Sequence, residues 1–79
     1  MKKIERLLNL IAALLATEKP LSRHEIRKRI PGAYADSDEA FRRTFERDKD
    51  DLRALGLPLS LKRIPGTDPP LDGYRILRS

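Results

Sequence analysis

A chain of 79 residues has room for one small domain with a thin core and none for a second folding unit. Its 17 lysines and arginines against 12 acidic residues leave a net charge of +5 and a pI near 10.0. That balance favours polyanionic partners, because cations that neutralise phosphates release condensed counterions, while the lack of cysteine excludes disulfides, thiolate metal sites and cysteine nucleophiles.

Residues 1–16, MKKIERLLNLIAALLA, begin like a signal peptide, with two lysines ahead of leucines. Glu5, Arg6 and Asn9 interrupt the run, its apolar part of roughly ten residues is too short to span a bilayer, and residues 13–16 lack small-x-small cleavage spacing. A cytoplasmic core helix without membrane association is expected. Ile4, Leu7, Leu8, Ile11, Leu14 and Leu15 follow the i, i+3, i+4, i+7 rule, which predicts a helix over roughly residues 3–17. Leu10 falls beside that stripe and is read as an edge-of-core leucine.

Lys19-Pro20 breaks this helix, since proline lacks the amide proton and biases its predecessor away from helical angles. Ser22 and Glu25 then form an S-x-x-E capping box, and a second helix is predicted over about residues 22–30, stopped by Pro31-Gly32. Leu21, Ile26 and Ile30 are its few apolar positions. Arg23, Arg27, Lys28 and Arg29 fill most of the rest, and residues 1–30 hold eight basic against three acidic residues, matching the net charge of the whole chain. These cations are expected to flank a nucleic-acid backbone.

The connection PGAYADS is longer than the turn of a minimal helix-turn-helix. Asp36 with Glu39, or Ser37 alone, can cap the third helix, and Tyr34 is expected to pack over the corner. In that helix, predicted over about residues 37–55, Phe41, Phe45, Asp48, Leu52 and Leu55 recur at spacings of 4, 3, 4 and 3. One member of that inward seam is acidic. A carboxylate there must be paired or hydrogen-bonded, so Asp48 is expected to be covered and bound to an arginine or to backbone amides.

The outer face of this helix shows Arg42, Arg43, Glu46, Arg47, Asp50 and Arg53. Arginine chelates guanine through its fork and glutamate accepts from the cytosine amino group, so the face can read base edges as well as grip phosphates. The acids Asp48, Asp50 and Asp51 cluster in the second half and would repel a backbone, which argues that the helix enters a groove tip first. Leu55-Gly56 closes it with glycine at a left-handed cap, and Pro58 prevents its resumption.

Leu59 and Leu61 alternate with Ser60 and Lys62, and Tyr74, Ile76 and Leu77 begin a second extended run, predicting a hairpin over about residues 59–77. The prolines and glycines of residues 65–73 are expected to form an exposed, stiff tip, with Gly66 and Gly73 marking turns. Three helices followed by a two-stranded wing make a mainly α winged helix-turn-helix. Its candidate DNA-binding residues are Ser22, Arg23, Arg42, Arg43, Thr44, Glu46, Arg47, Lys62 and Arg63, and its structural set is Phe41, Phe45, Asp48, Leu52, Leu55 and Gly56. An enzyme is not expected, because there is one histidine, no convergent carboxylate pair and no glycine-rich phosphate loop; no cofactor or metal is expected either. His24, in the first turn of the second helix, is read as a surface or capping residue.

Thr44-Phe45-Glu46-Arg47-Asp48, followed by Leu52 and Leu55-Gly56-Leu57-Pro58, resembles the T-hydrophobic-x-R-D and L-x-x-L-G-hydrophobic-P pattern of winged helix-turn-helix regulators that carry a WYL domain. Almost the whole chain is similar to the proteasome accessory factor B and C type of bacterial regulator, its B branch above all. The resemblance implies an actinobacterial transcriptional regulator of the DNA-damage response, in which such domains pair as heterodimers or fused tandems and the WYL domain senses a nucleic-acid ligand. It maps the family's third-helix positions onto Arg42, Arg43, Thr44 and Arg47 and its R-D pair onto Arg47-Asp48. Lys49 departs from the broader pattern, which often has leucine there. Because the resembling proteins continue past the position of Ser79 into a linker and a WYL domain, an isolated DNA-binding domain is expected. The implied partners are double-stranded DNA, a C-type or identical subunit in the full-length protein, and RNA polymerase. The rival expectation is a protein-interaction or dimerisation module that reads no bases.

Overall fold

The computed structural model describes residues 1–66 and 68–78, and its first element, α1, spans Lys3–Ala16. Leu7, Leu10 and Leu14 are its buried residues, whereas Ile4 and Leu8 are 62% and 59% exposed. The expected stripe is therefore rotated. Leu10, read from sequence as an edge residue, is fully buried, because six apolar positions cover a wider arc than a thin core can meet. Leu10 lies about 40° from Arg6 around the helix, and Arg6 is tied to a later element through Asp48. The helix ends at buried Thr17, whose hydroxyl donates to the Lys19 carbonyl at 2.6 Å.

Before the second helix, Leu21 exchanges two backbone hydrogen bonds of 2.8 Å with Tyr74, an isolated β-bridge that ties the connection after α1 to the wing. α2 spans Arg23–Arg29 with Ser22 as its N-cap. Both bonds of the capping box form: the Ser22 hydroxyl accepts from the Glu25 amide at 3.2 Å, and the Glu25 carboxylate accepts from the Ser22 amide at 3.1 Å. Ile26 and Ile30 fix the helix to the core.

α3 spans Asp38–Ala54 and is capped by Ser37, whose hydroxyl accepts from the Ala40 amide at 3.2 Å. Its buried residues are Phe41, Phe45, Asp48, Lys49 and Leu52. Leu55 does not continue the seam: it is 68% exposed and forms the C-cap. The chain reverses there, with Gly56 at φ +82° donating to the Arg53 carbonyl and Leu57 to that of Leu52, a Schellman closure that folds half-buried Leu57 onto the core in place of Leu55.

β1 (Leu59–Ile64) pairs antiparallel with β2 (Leu71–Ile76), Leu59 facing Ile76 and Ile64 facing Leu71. β2 supplies buried Tyr74 and Ile76, while Leu61, expected to alternate inward, is half exposed. The second strand begins earlier than sequence spacing suggested, which shortens the irregular tip to residues 65–70, with Thr67 outside the described residues. Gly73 therefore marks no turn. It lies within β2, where the side chains of Pro20 and Ile64 close over it. At the centre, Phe41 and Phe45 stack at 5.6 Å, with Tyr34 edge-on to Phe41 at 5.0 Å and Tyr74 edge-on to Phe45 at 5.3 Å.

Candidate nucleic-acid interface

The orientation of α3 is set by its one fully buried carboxylate. Asp48 accepts two hydrogen bonds of 2.7 Å from Nε and Nη2 of Arg6 on α1, and a third of 2.8 Å from the Tyr34 hydroxyl. The bidentate fork satisfies both carboxylate oxygens, which is what burial of such a charge requires. Hydrogen bonding to Asp48 raises the Arg6 pKa above its ordinary value, and burial followed by the bond to Asp48 raises that of Tyr34. With this face locked inward, the opposite face of α3 is committed to solvent.

That face carries Arg42, Arg43, Glu46 and Arg47, all exposed, with Thr44 half-buried beside them. Arg43 meets Glu39 at 3.4 Å in an exposed pair of the kind that contributes little. Arg47 and Thr44 line a shallow cleft of about 470 Å³ together with Lys3 and Arg6. The acids expected to repel a backbone are each paired within the molecule: Asp48 with Arg6, Asp50 with Arg53 at 3.4 Å, and Asp51 with Lys3 at 3.1 Å.

Sequence reasoning missed Lys49. Its side chain is buried at the seam, where the ammonium donates to Glu46 Oε1 at 2.8 Å and to the Tyr74 hydroxyl at 3.2 Å. It also lies 5.0 Å from the Phe45 ring centroid and 4.5 Å from that of Tyr74. The departure from leucine at this position was the available signal, but a lysine beside an apolar seam is ordinarily solvated.

The cations of α2 divide. Arg27 turns inward, donating to Asp38 Oδ1 at 2.8 Å, to the Ala35 carbonyl at 2.7 Å and to the Asp36 carbonyl, with its guanidinium 4.6 Å over the Phe41 ring. It clamps the connection between α2 and α3 rather than flanking a backbone, and its hydrogen bond lowers the Asp38 pKa. Ser22, included among the candidate contacts, is buried with its hydroxyl engaged in the cap, so its side chain is structural. Arg23 is half-buried, and Lys28, Arg29 and His24 are exposed.

On the wing, Lys62 is exposed and Arg63 meets Asp72 at 3.2 Å. An open groove of about 860 Å³ brings Lys62 and Arg63 together with Lys19 from the α1–α2 turn and Arg29 from α2. Among the described residues, no cluster of three or more His, Cys, Asp or Glu side chains could hold a metal ion, and no helix is long and apolar enough to cross a membrane.

No established family profile matches the chain. Individual relatives do: it is 49% identical over 78 residues to the protein PafB of Mycobacterium tuberculosis (strain ATCC 25618 / H37Rv) and, to the same extent, to PafB of Mycobacterium leprae (strain TN). Those alignments cover 96% of this chain and 23% of the relatives, so the chain spans about a quarter of their length. Among solved structures it is similar to the proteasome accessory factor B/C (PafBC) of Arthrobacter aurescens, with a TM-score of 0.71 and 44% identity over 91% of this chain and 11% of that one. Identity near one half along almost the entire chain, on a shared fold, makes this chain a winged helix-turn-helix domain similar to that of PafB.

Proposed function

We propose that this domain binds double-stranded DNA sequence-specifically, with the leading half of α3 in the major groove, as part of a bacterial transcriptional regulator. Arg42, Arg43, Glu46 and Arg47 are assigned to base edges, and Arg23, Thr44, Lys62 and Arg63 to the flanking backbone. One observation carries the reading: Asp48, Arg6 and Tyr34 fix one face of α3 inward and leave three arginines exposed on the other. Kinship with PafB supports placing the regulator in the cytoplasm and in the DNA-damage response, with a PafC-like or identical subunit in the full-length protein and RNA polymerase as a further partner.

The test is a titration of the chain, and of a variant with Arg43→Ala and Arg47→Ala, against duplex DNA at two salt concentrations. Binding that weakens steeply with salt and is lost in the variant is expected; equal binding by both proteins would overturn the assignment.

The second reading, a pairing module, draws on the exposed Ile4 and Leu8 of α1. On that reading, the chain self-associates in sedimentation and selects no duplex sequence, and Leu8→Lys abolishes the self-association.

A further inference from the structure

The ammonium of Lys49 has no route to a phosphate. Its residue is only 4% exposed, two aromatic rings flank the charge, and its hydrogen bonds run to Glu46 and Tyr74. A lysine buried this way closes a gap that an apolar side chain would fill without burying a charge. The partner it reaches is informative. Glu46 keeps 65% of its side chain exposed on the outward face of α3, so the buried ammonium holds an exposed carboxylate from behind.

We infer that Lys49 is the positioning residue for Glu46, fixing and neutralising a carboxylate that reads a cytosine amino group; this rests on the DNA-binding reading proposed above. A carboxylate entering the major groove meets flanking phosphates and is repelled by them. An ammonium 2.8 Å behind it offsets that repulsion without competing for the base, because Lys49 engages Oε1 and a carboxylate has a second oxygen with which to accept from cytosine N4. Anchoring to Tyr74 on β2 ties the rotamer of Glu46 to the wing. Base reader and wing thus move as one unit, and less side-chain entropy is lost on binding than with a freely rotating glutamate.

Sequences selected from a randomised duplex pool by the wild-type chain, by Lys49→Met, by Glu46→Gln and by the double variant test this, with affinities taken at one salt concentration and folding followed by circular dichroism. The wild type is expected to prefer C·G at one position by about tenfold or more. Glu46→Gln loses that preference, and its affinity is the reference for the double variant. Lys49→Met loses it and binds about tenfold more weakly, since the repulsion is no longer offset; adding Glu46→Gln to Lys49→Met raises the affinity to that of Glu46→Gln alone, without the preference. A packing role alone predicts the reverse, with preference retained in Lys49→Met or affinity still lost in the double variant, and either result overturns the inference. Where Lys49→Met does not fold, Tyr74→Phe keeps the ring and removes one anchor: a several-fold loss of the same preference supports the inference and an unchanged preference overturns it. A wild-type chain that selects no sequence overturns the DNA-binding reading as well, whereas selection shared by wild type and Lys49→Met overturns this inference alone.

Discussion

The buried ion pair decides most at the scale of single residues. Replacing Asp48 with alanine leaves the Arg6 guanidinium and the Tyr34 hydroxyl facing a void, and breaking a buried pair from one side costs about 3–5 kcal/mol. In a domain this small that is a large share of the total stability, so Asp48→Ala is expected to lose most of its folded population in mild urea, as circular dichroism would record. Tyr34 adds a pH dependence. Its phenol is held protonated in the folded state above the ordinary value of 10.0, while the unfolded chain ionises there. The stabilisation is therefore complete below pH 10.0 and is lost as pH rises beyond it. Urea midpoints on either side of that pH should fall more for the wild type than for Tyr34→Phe. That Asp48 needed a partner was legible from a carboxylate interrupting an apolar seam. That the partner would be Arg6, 42 residues away, was not, because pairing across elements leaves no local spacing to read.

Elements were legible where local chemistry alone sets their limits. Ser22 with Glu25 marked the start of α2 and Gly56 the end of α3, since caps and left-handed turns involve only near neighbours. The phase of α1 was not legible. Seven of its residues are apolar leucines and isoleucines counting Leu10, and the buried arc among them is chosen by what α3 and β2 present. The wing shows a similar division. Its strands were visible as alternation, but the β-bridge at Leu21 and the closeness of the α1–α2 turn to Gly73 arise only on docking. A Cβ at Gly73 would lie 2.6 Å from Pro20 Cβ and 2.9 Å from Ile64 Cγ1. Gly73→Ala must push the wing off the turn, and a loss of about 1–3 kcal/mol in urea unfolding is expected. Because the side chains of Lys62 and Arg63 border the same groove, the displaced wing should also weaken DNA binding.

Taken as a whole, the molecule separates cations that hold the fold from cations left for a partner. Arg6, Arg27 and Lys49 are covered and spend their charge on Asp48, Asp38 and Glu46, whereas Arg42, Arg47 and Lys62 are exposed. Net charge alone cannot make that distinction, which is why the basic balance pointed to a partner class without showing which residues would meet it. The two sets should respond differently to salt. Each phosphate neutralised contributes about 0.9 to the slope of log affinity against log salt concentration. Lys62→Ala should reduce that slope by about one and weaken binding evenly across sequences, while Arg47→Ala relaxes the preference at one base pair. Arg27→Ala should leave the slope unchanged and instead lower stability, because its guanidinium is already spent on Asp38, the α2–α3 connection and the Phe41 ring. Binding isotherms across a salt series, read beside urea midpoints for the three variants, separate these outcomes; a slope that falls in Arg27→Ala would mean that the clamp opens on DNA and delivers its charge to a phosphate.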